Sequence, residues 1–269
     1  MKIDKSSLPD PKEHLDILEK FTDAQDAFYN KQYNDAISIF KNIIKEVPSC
    51  NIAKLMLGEA YVHIRELDQA VEYFKQTETL FPEITLMNIA DINRRRNQLA
   101  DAIEIYKKII SRNKYFLEAY LELADTLLQE NRLNEAAEML LKAERLKINE
   151  PRLRLTQARL YFLKRDYAQS KNYIKELLRI NPANADAYAL LAEISVQEGK
   201  IKEAIINYRK AISIVPTRRE WLIELAKLYL KPGFLDKQEA AKLYRRALEL
   251  EPDAPAAAEI KKILSNIEN

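Results

Sequence analysis

Small residues recur along this chain at a nearly fixed interval, and large apolar residues keep step with them. Ala36, Ala70, Ala102, Ala136, Ser170, Ala204 and Ala240 follow one another at 34, 32, 34, 34, 34 and 36 residues. Four residues after each stands Phe40, Phe74, Tyr106, Leu140, Ile174, Tyr208 or Tyr244. A second ladder, Ala24, Gly58, Ala90, Ala124, Ala158, Ala192 and Ala226, precedes the first by 12 residues, or by 14 at the last step. Tyr120, Leu123, Ala124 and Leu127 have the spacing of one helical face. Leu133, Ala136, Ala137 and Leu140 repeat that spacing beyond a polar stretch at 130–132. The pattern predicts two helices per repeat, packed closely where the small residues meet. A fixed period of this kind marks one supersecondary unit stacked many times.

Punctuation agrees with the period. Pro48, Pro82, Pro182, Pro216 and Pro252 close near-identical phrases and are expected to end the second helix of a pair. Gly199 and Gly233 are expected at the turn inside a pair, where glycine adopts positive φ cheaply. Gly58 belongs to the small-residue ladder and reads as a site of close helix approach.

The phrase from Ala185 to Pro216, ADAYALLAEISVQEGKIKEAIINYRKAISIVP, resembles the tetratricopeptide repeat signature almost throughout. Leu57, Gly58, Tyr61, Ala70, Phe74 and Pro82 carry the same signature in the stretch 52–82. The resemblance implies an all-α, right-handed α-solenoid of seven helix-turn-helix pairs plus a C-terminal capping helix. The motifs fall at approximately 17–50, 51–82, 83–116, 117–150, 151–184, 185–218 and 219–252. Residues 1–10 read as a flexible N-terminal segment, and residues 11–252 hold the repeats. Asp10 followed by Pro11 looks like an N-cap and a first helical turn. At 253–269, Ile260, Ile263, Leu264 and Ile267 share one face, as a terminal cap requires. Asp23 and Gln157 depart from the usual leucine, and Lys114 and Ile148 from the closing proline. The unit after Pro82 starts two residues early, and the last carries two extra residues around 231–237.

Composition narrows the function. Lys and Arg number 43 and Asp and Glu 41, a balance with no general attraction for nucleic acid or anionic membrane. No apolar run reaches the ~18 residues of a membrane span, and the N-terminus shows no apolar secretory region. The single cysteine, Cys50, has no disulfide partner, so a cytoplasmic location is expected. His14 and His63 are the two histidines, and neither they nor the three glycines build a metal site or a phosphate-cradling loop. A Cys50–His63 nucleophile pair lacks any orienting group. The chain therefore reads as a non-enzyme without a cofactor. The basic run Arg94, Arg95 and Arg96 falls at a helix end, where cations complement the helix dipole; a phosphate or nucleic-acid contact and an acidic partner peptide are the alternatives. Trp221 and the tyrosines at repeat positions read as core.

In the family this chain resembles, the first helix of each pair lines a concave groove. On that basis the open face carries Glu59 and His63, then Asn88, Asp91 and Arg95, then Glu122, Asp125 and Gln129. Arg152, Thr156 and Arg159 follow, and then Glu193. Glu118, Leu121, Leu128, Leu190, Gln197, Glu220, Glu224 and Lys227 are assigned to the same face. Glu59, Asp91 and Asp125 form an acidic ladder helped by Glu122, and Arg159 with Arg152 reverses the sign. A partner segment with a basic stretch followed by a carboxylate would complement it. Equally, these charges can be solvated and pair across neighbouring units. Relatives that clamp a C-terminal carboxylate carry lysine and asparagine where this chain has Phe21 and Gln25, which disfavours that mode. The favoured function is a non-catalytic scaffold for a protein or peptide segment. The alternatives are a self-assembling structural protein, or an accessory module of a larger enzyme or envelope assembly.

Overall fold

The computed structural model describes residues 11–252 and 254–268. Among the described residues there are fifteen α-helices and no strand. The segment 1–10, Asp10 included, lies outside them, as do Asp253 and the His14 side chain. The chain divides into two compact units, 1–130 and 131–269. Unit one holds α1 (Pro11–Tyr29), α2 (Tyr33–Glu46), α3 (Asn51–His63), α4 (Leu67–Lys75), α5 (Pro82–Arg95), α6 (Leu99–Arg112) and α7 (Leu117–Gln129). Unit two holds α8 (Leu133–Arg145), α9 (Pro151–Leu163), α10 (Tyr167–Ile180), α11 (Ala185–Gln197), α12 (Ile201–Ile214), α13 (Arg219–Tyr229), α14 (Lys237–Leu250) and α15 (Ala257–Glu268).

The small-residue ladders lie at the helix contacts. Ala24, Ala36, Ala70, Ala90, Ala102, Ala158, Ser170, Ala192, Ala204, Ala226 and Ala240 are all fully buried. At Gly58 a Cβ would stand 2.6 Å from the Phe74 ring, so α3 and α4 approach as closely as glycine allows. Ser170 takes an alanine position without cost, because its hydroxyl donates to the Ala158 carbonyl at 2.8 Å. That bond satisfies the buried hydroxyl and ties α9 to α10.

One left-handed residue turns the chain from first helix to second in every pair. Lys31, Arg65, Asn97, Asn131 and Arg165 have φ between 57 and 67°, and Gly199 and Gly233 have φ 75 and 84°. Each of these stands seven residues after the small residue of its first helix. The backbone closes the same way around most of them. Asp166 N–H bonds the Tyr161 carbonyl at 2.9 Å, and Arg165 N–H bonds that of Phe162 at 2.9 Å. Gln32 to Ala27, Glu66 to Tyr61, Gln98 to Asn93 and Lys200 to Ser195 repeat the longer bond at 2.8–2.9 Å. This is the Schellman closure of a helix end. The next residue already caps the second helix, and the small residue lies one turn further on. Seven plus five residues thus give the 12-residue offset between the ladders. After Gly233 the segment 234–236 intervenes, Asp236 caps α14 through Glu239 N–H at 3.0 Å, and the offset becomes 14.

Pro82 departs from the sequence expectation. It does not close a second helix: α4 ends at Lys75, and Pro82 is the first residue of α5. Proline suits that position because the first helical N–H has no intrahelical acceptor. Between them Thr77 folds the connector, bonding the Phe74 carbonyl at 2.7 Å and the Thr85 hydroxyl at 2.7 Å. At the other end Ile260 and Leu264 of α15 are buried in the cluster that holds Trp221, Leu225 and Tyr244. Ile263 and Ile267 pack against the same cluster.

Arg165 occupies the left-handed region with a Cβ, at a cost of roughly 1–2 kcal/mol, partly offset by the lower chain entropy it brings to the unfolded state. Arg165→Gly is expected to stabilise the protein by about 0.5–1 kcal/mol. Thermal and denaturant unfolding check this, and an unchanged or lower midpoint contradicts it.

Candidate functional site

In unit one the first helices lie side by side in a register that their own contacts define. Gln25 Nε2 of α1 reaches Met56 Sδ of α3 at 3.8 Å. The same positions one repeat on, counted from Gly58 and Ala90, are Glu59 of α3 and Asn88 of α5. Glu59 is half-buried and makes no ion pair or hydrogen bond among the described residues, and burial raises its pKa above the ordinary carboxylate range. The Asn88 side-chain nitrogen is buried with no acceptor. The strip therefore opens with an uncompensated acid and an unsatisfied amide.

Further along, the charges are already matched. Arg95 Nε bonds Asp91 at 2.7 Å, Arg94 Nη1 of α5 bonds Glu122 of α7, and Arg96 Nη2 reaches Asp68 of α4 at 2.5 Å. The triple-arginine run does sit in the last turn and C-cap of α5, and each member also has its own carboxylate. Tyr106 of α6 lies fully buried beside this pair. Burial, reinforced by the Glu122 charge, pushes its hydroxyl up to about 12. Of the four acids in the predicted ladder, Asp91 and Glu122 are thus neutralised by arginine, and Asp125 stands on α7. Gln129 is exposed at the end of α7. His63 stacks on Tyr33, with ring centres 4.3 Å apart and planes 2° from parallel, and meets the Phe28 edge. Cys50 packs against the core of unit one.

In unit two Arg152, Thr156 and Arg159 lie on α9 and Glu193 on α11. Arg159 Nη2 approaches Asp186 at 3.6 Å, and Arg218 approaches the same carboxylate at 4.0 Å. Glu193 is raised chiefly by burial, opposed by the Arg159 charge and reinforced by Glu224. Glu224 itself pairs with Lys227 at 2.7 Å.

Thr156 is a correction. Assigned to the open face, it is fully buried, with a hydroxyl that lacks a partner. Leu121, Leu128 and Leu190, assigned likewise, are buried too. For Thr156 and Leu190 the reason is the number of neighbours. Helix α9 packs against α8, α10 and α11, and α11 against α9, α10 and α12. A helix with three neighbours buries a wider stripe than one facing a single partner. In unit one Arg94, which the sequence did not connect to this strip, supplies the counter-charge to Glu122.

Among the described residues no three His, Cys, Asp or Glu side chains gather as a metal site, and no helix is long and apolar enough to cross a membrane.

Tetratricopeptide repeat profiles match residues 21–83, 94–160 and 161–206, which together exceed half the chain. The chain belongs to the tetratricopeptide repeat family. It is 34% identical over 95 residues to human general transcription factor 3C polypeptide 3, covering 35% of this chain and 10% of that protein. It is 22% identical over 255 residues to the Arabidopsis thaliana CTR9 homolog, covering 88% of this chain and 23% of that protein. The chain therefore spans a tenth to a quarter of these relatives' lengths. The crystal structure of a tetratricopeptide repeat protein from Parabacteroides merdae superposes with a TM-score of 0.75 at 17% identity, covering 94% of this chain and 99% of that one. The structure of the Cut9–Hcn1 hetero-tetramer matches with a TM-score of 0.66 at 17% identity, covering 94% and 57%. These likenesses show the fold.

The raised pKa of Glu59 sets a pH dependence. The folded state holds this proton more tightly than the unfolded chain does. Its contribution is therefore complete below the unfolded pKa, near 4.5, and is lost as pH rises through the higher folded value. Glu59→Gln is expected to flatten that part of the stability–pH curve. Denaturant unfolding across this range checks it, and parallel curves for wild type and variant contradict it.

Proposed function

We propose that this chain is a non-catalytic scaffold that holds a segment of a partner protein along the exposed strip of its first helices. The observation that carries the reading is Glu59, a half-buried carboxylate without a counter-charge, with Asn88 in register and its amide unsatisfied. Leaving such groups unpaired costs stability, and a ligand that pairs them recovers it. A cationic side chain matches Glu59. The partner segment is accordingly basic at this end. Asp91 and Glu122 contribute less, since their arginines already compensate them. Within unit two, Arg152 and Arg159 of α9 suit a carboxylate. Family membership supports partner binding in general, and the cytoplasm suits a chain with one free cysteine.

Self-association is a second reading, favoured by one feature. Leu15 and Leu18 stand exposed a turn apart on α1. Sedimentation at several concentrations separates it from a monomeric scaffold.

The direct test is titration of a labelled, end-capped peptide of alternating lysine and serine. Glu59→Lys is expected to weaken binding by about tenfold or more, with folding intact and a clear salt dependence. Glu138→Lys, on α8, is the control and is expected to change little. Equal binding by the two variants removes Glu59 from the mechanism.

A further inference from the structure

A second surface of unit two has the makings of a binding site that the first-helix strip does not include. An open cleft of about 330 Å³ lies among α12, α13 and α14. Ile212, Leu225 and Leu243 form its apolar floor, and Arg209, Lys242 and Arg246 its cationic part. Glu239 is the single carboxylate in the lining, and it stands 4.0 Å from Lys242. The two arginines are held by neutral groups. Arg246 Nη2 donates to the Pro216 carbonyl at 2.9 Å, and the Arg209 guanidinium lies 5.5 Å from the centre of the Tyr229 ring. Both are thereby positioned without being neutralised.

We propose that this cleft binds an acidic segment of a partner protein in which carboxylates alternate with large apolar side chains. Two fixed guanidiniums suit a carboxylate better than mobile lysines do, because each offers a planar fork of donors with little ordering left to lose. The apolar floor supplies what a bare anion cannot use: a place to bury the neighbouring leucine or phenylalanine. A cleft of this size takes one or two side chains, which fits a short linear segment rather than a whole domain face. The cationic residues come from the second helices α12 and α14, so the site is independent of the strip through Glu59.

The test is fluorescence anisotropy with a labelled, end-capped peptide of alternating glutamate and leucine, set against its glutamine counterpart. Saturable binding is expected, weakened by about tenfold or more in the Arg209→Glu, Arg246→Glu double variant and by a similar factor in the glutamine peptide. Lys261→Glu on α15 and Glu59→Lys on the strip are expected to bind as wild type, the second separating this site from the proposed function. Thermal unfolding of each variant checks that the fold is kept. Absence of saturable binding, or equal binding by the double variant, overturns the proposal. Competition by inorganic phosphate at concentrations comparable to the peptide overturns its polypeptide character.

Discussion

The closeness of the two helices in each pair is the constraint on which the other features depend. At Gly58 the α3 backbone comes so near the Phe74 ring that an added methyl would stand 2.6 Å from it, and alanine holds the equivalent place in the other first helices. Close approach lets large side chains such as Phe40, Phe74, Tyr208 and Tyr244 fill the space beside the contact and become buried. It also demands a tight, reproducible turn. A single left-handed residue followed directly by the next N-cap meets that demand. The cost is borne by lysine, arginine and asparagine at five turns. A strained corner retained at regular intervals is affordable because the packing on either side determines it.

Local rigidity has a consequence for recognition. The first helices present their remaining side chains at fixed register, so charges separated by about thirty residues meet reliably. Most are used internally: Arg94 with Glu122, Arg96 with Asp68, Arg159 with Asp186. What is left over then carries information. Glu59 and Asn88 on the first helices, and Arg209 and Arg246 on the second, are groups whose charge or hydrogen-bonding capacity the fold itself does not use up. These leftover groups are the basis of the two proposed sites, one for a basic segment in unit one and one for an acidic, apolar segment in unit two.

Much of this was legible in the sequence. The two ladders of small residues carried the helix pairs, Pro11 the start of the first helix, and the spacing of Ile260, Ile263, Leu264 and Ile267 the closing apolar face. Glycine marked the turns at 199 and 233. It could not mark those at 31, 65 and 165, because lysine and arginine carry no turn signature. The usable signal was their constant distance from the small residue before them. Pro82 misled because proline both stops one helix and starts another, and only the shortened 32-residue interval distinguishes the two. The strip was harder to read. Burial of Thr156 and Leu190 depends on how many helices surround α9 and α11. The Arg94–Glu122 pair joins positions that are not equivalent in the repeat, so periodicity alone cannot find it. The cleft beside Arg246 combines three helices and leaves no mark in any one of them.

The claim that close approach governs the pairs is tested most directly by a double-mutant cycle on Gly58 and Phe74. In the wild-type background Gly58→Ala forces a methyl against a buried ring and is expected to destabilise by roughly 1–3 kcal/mol. With Phe74→Leu in place the obstructing ring is gone. The same change should then cost little, or even stabilise through the higher helix propensity of alanine, giving a coupling of about 1 kcal/mol or more. Additive effects of the two substitutions would contradict the claim and show that the small residue at position 58 is not there to let the helices meet.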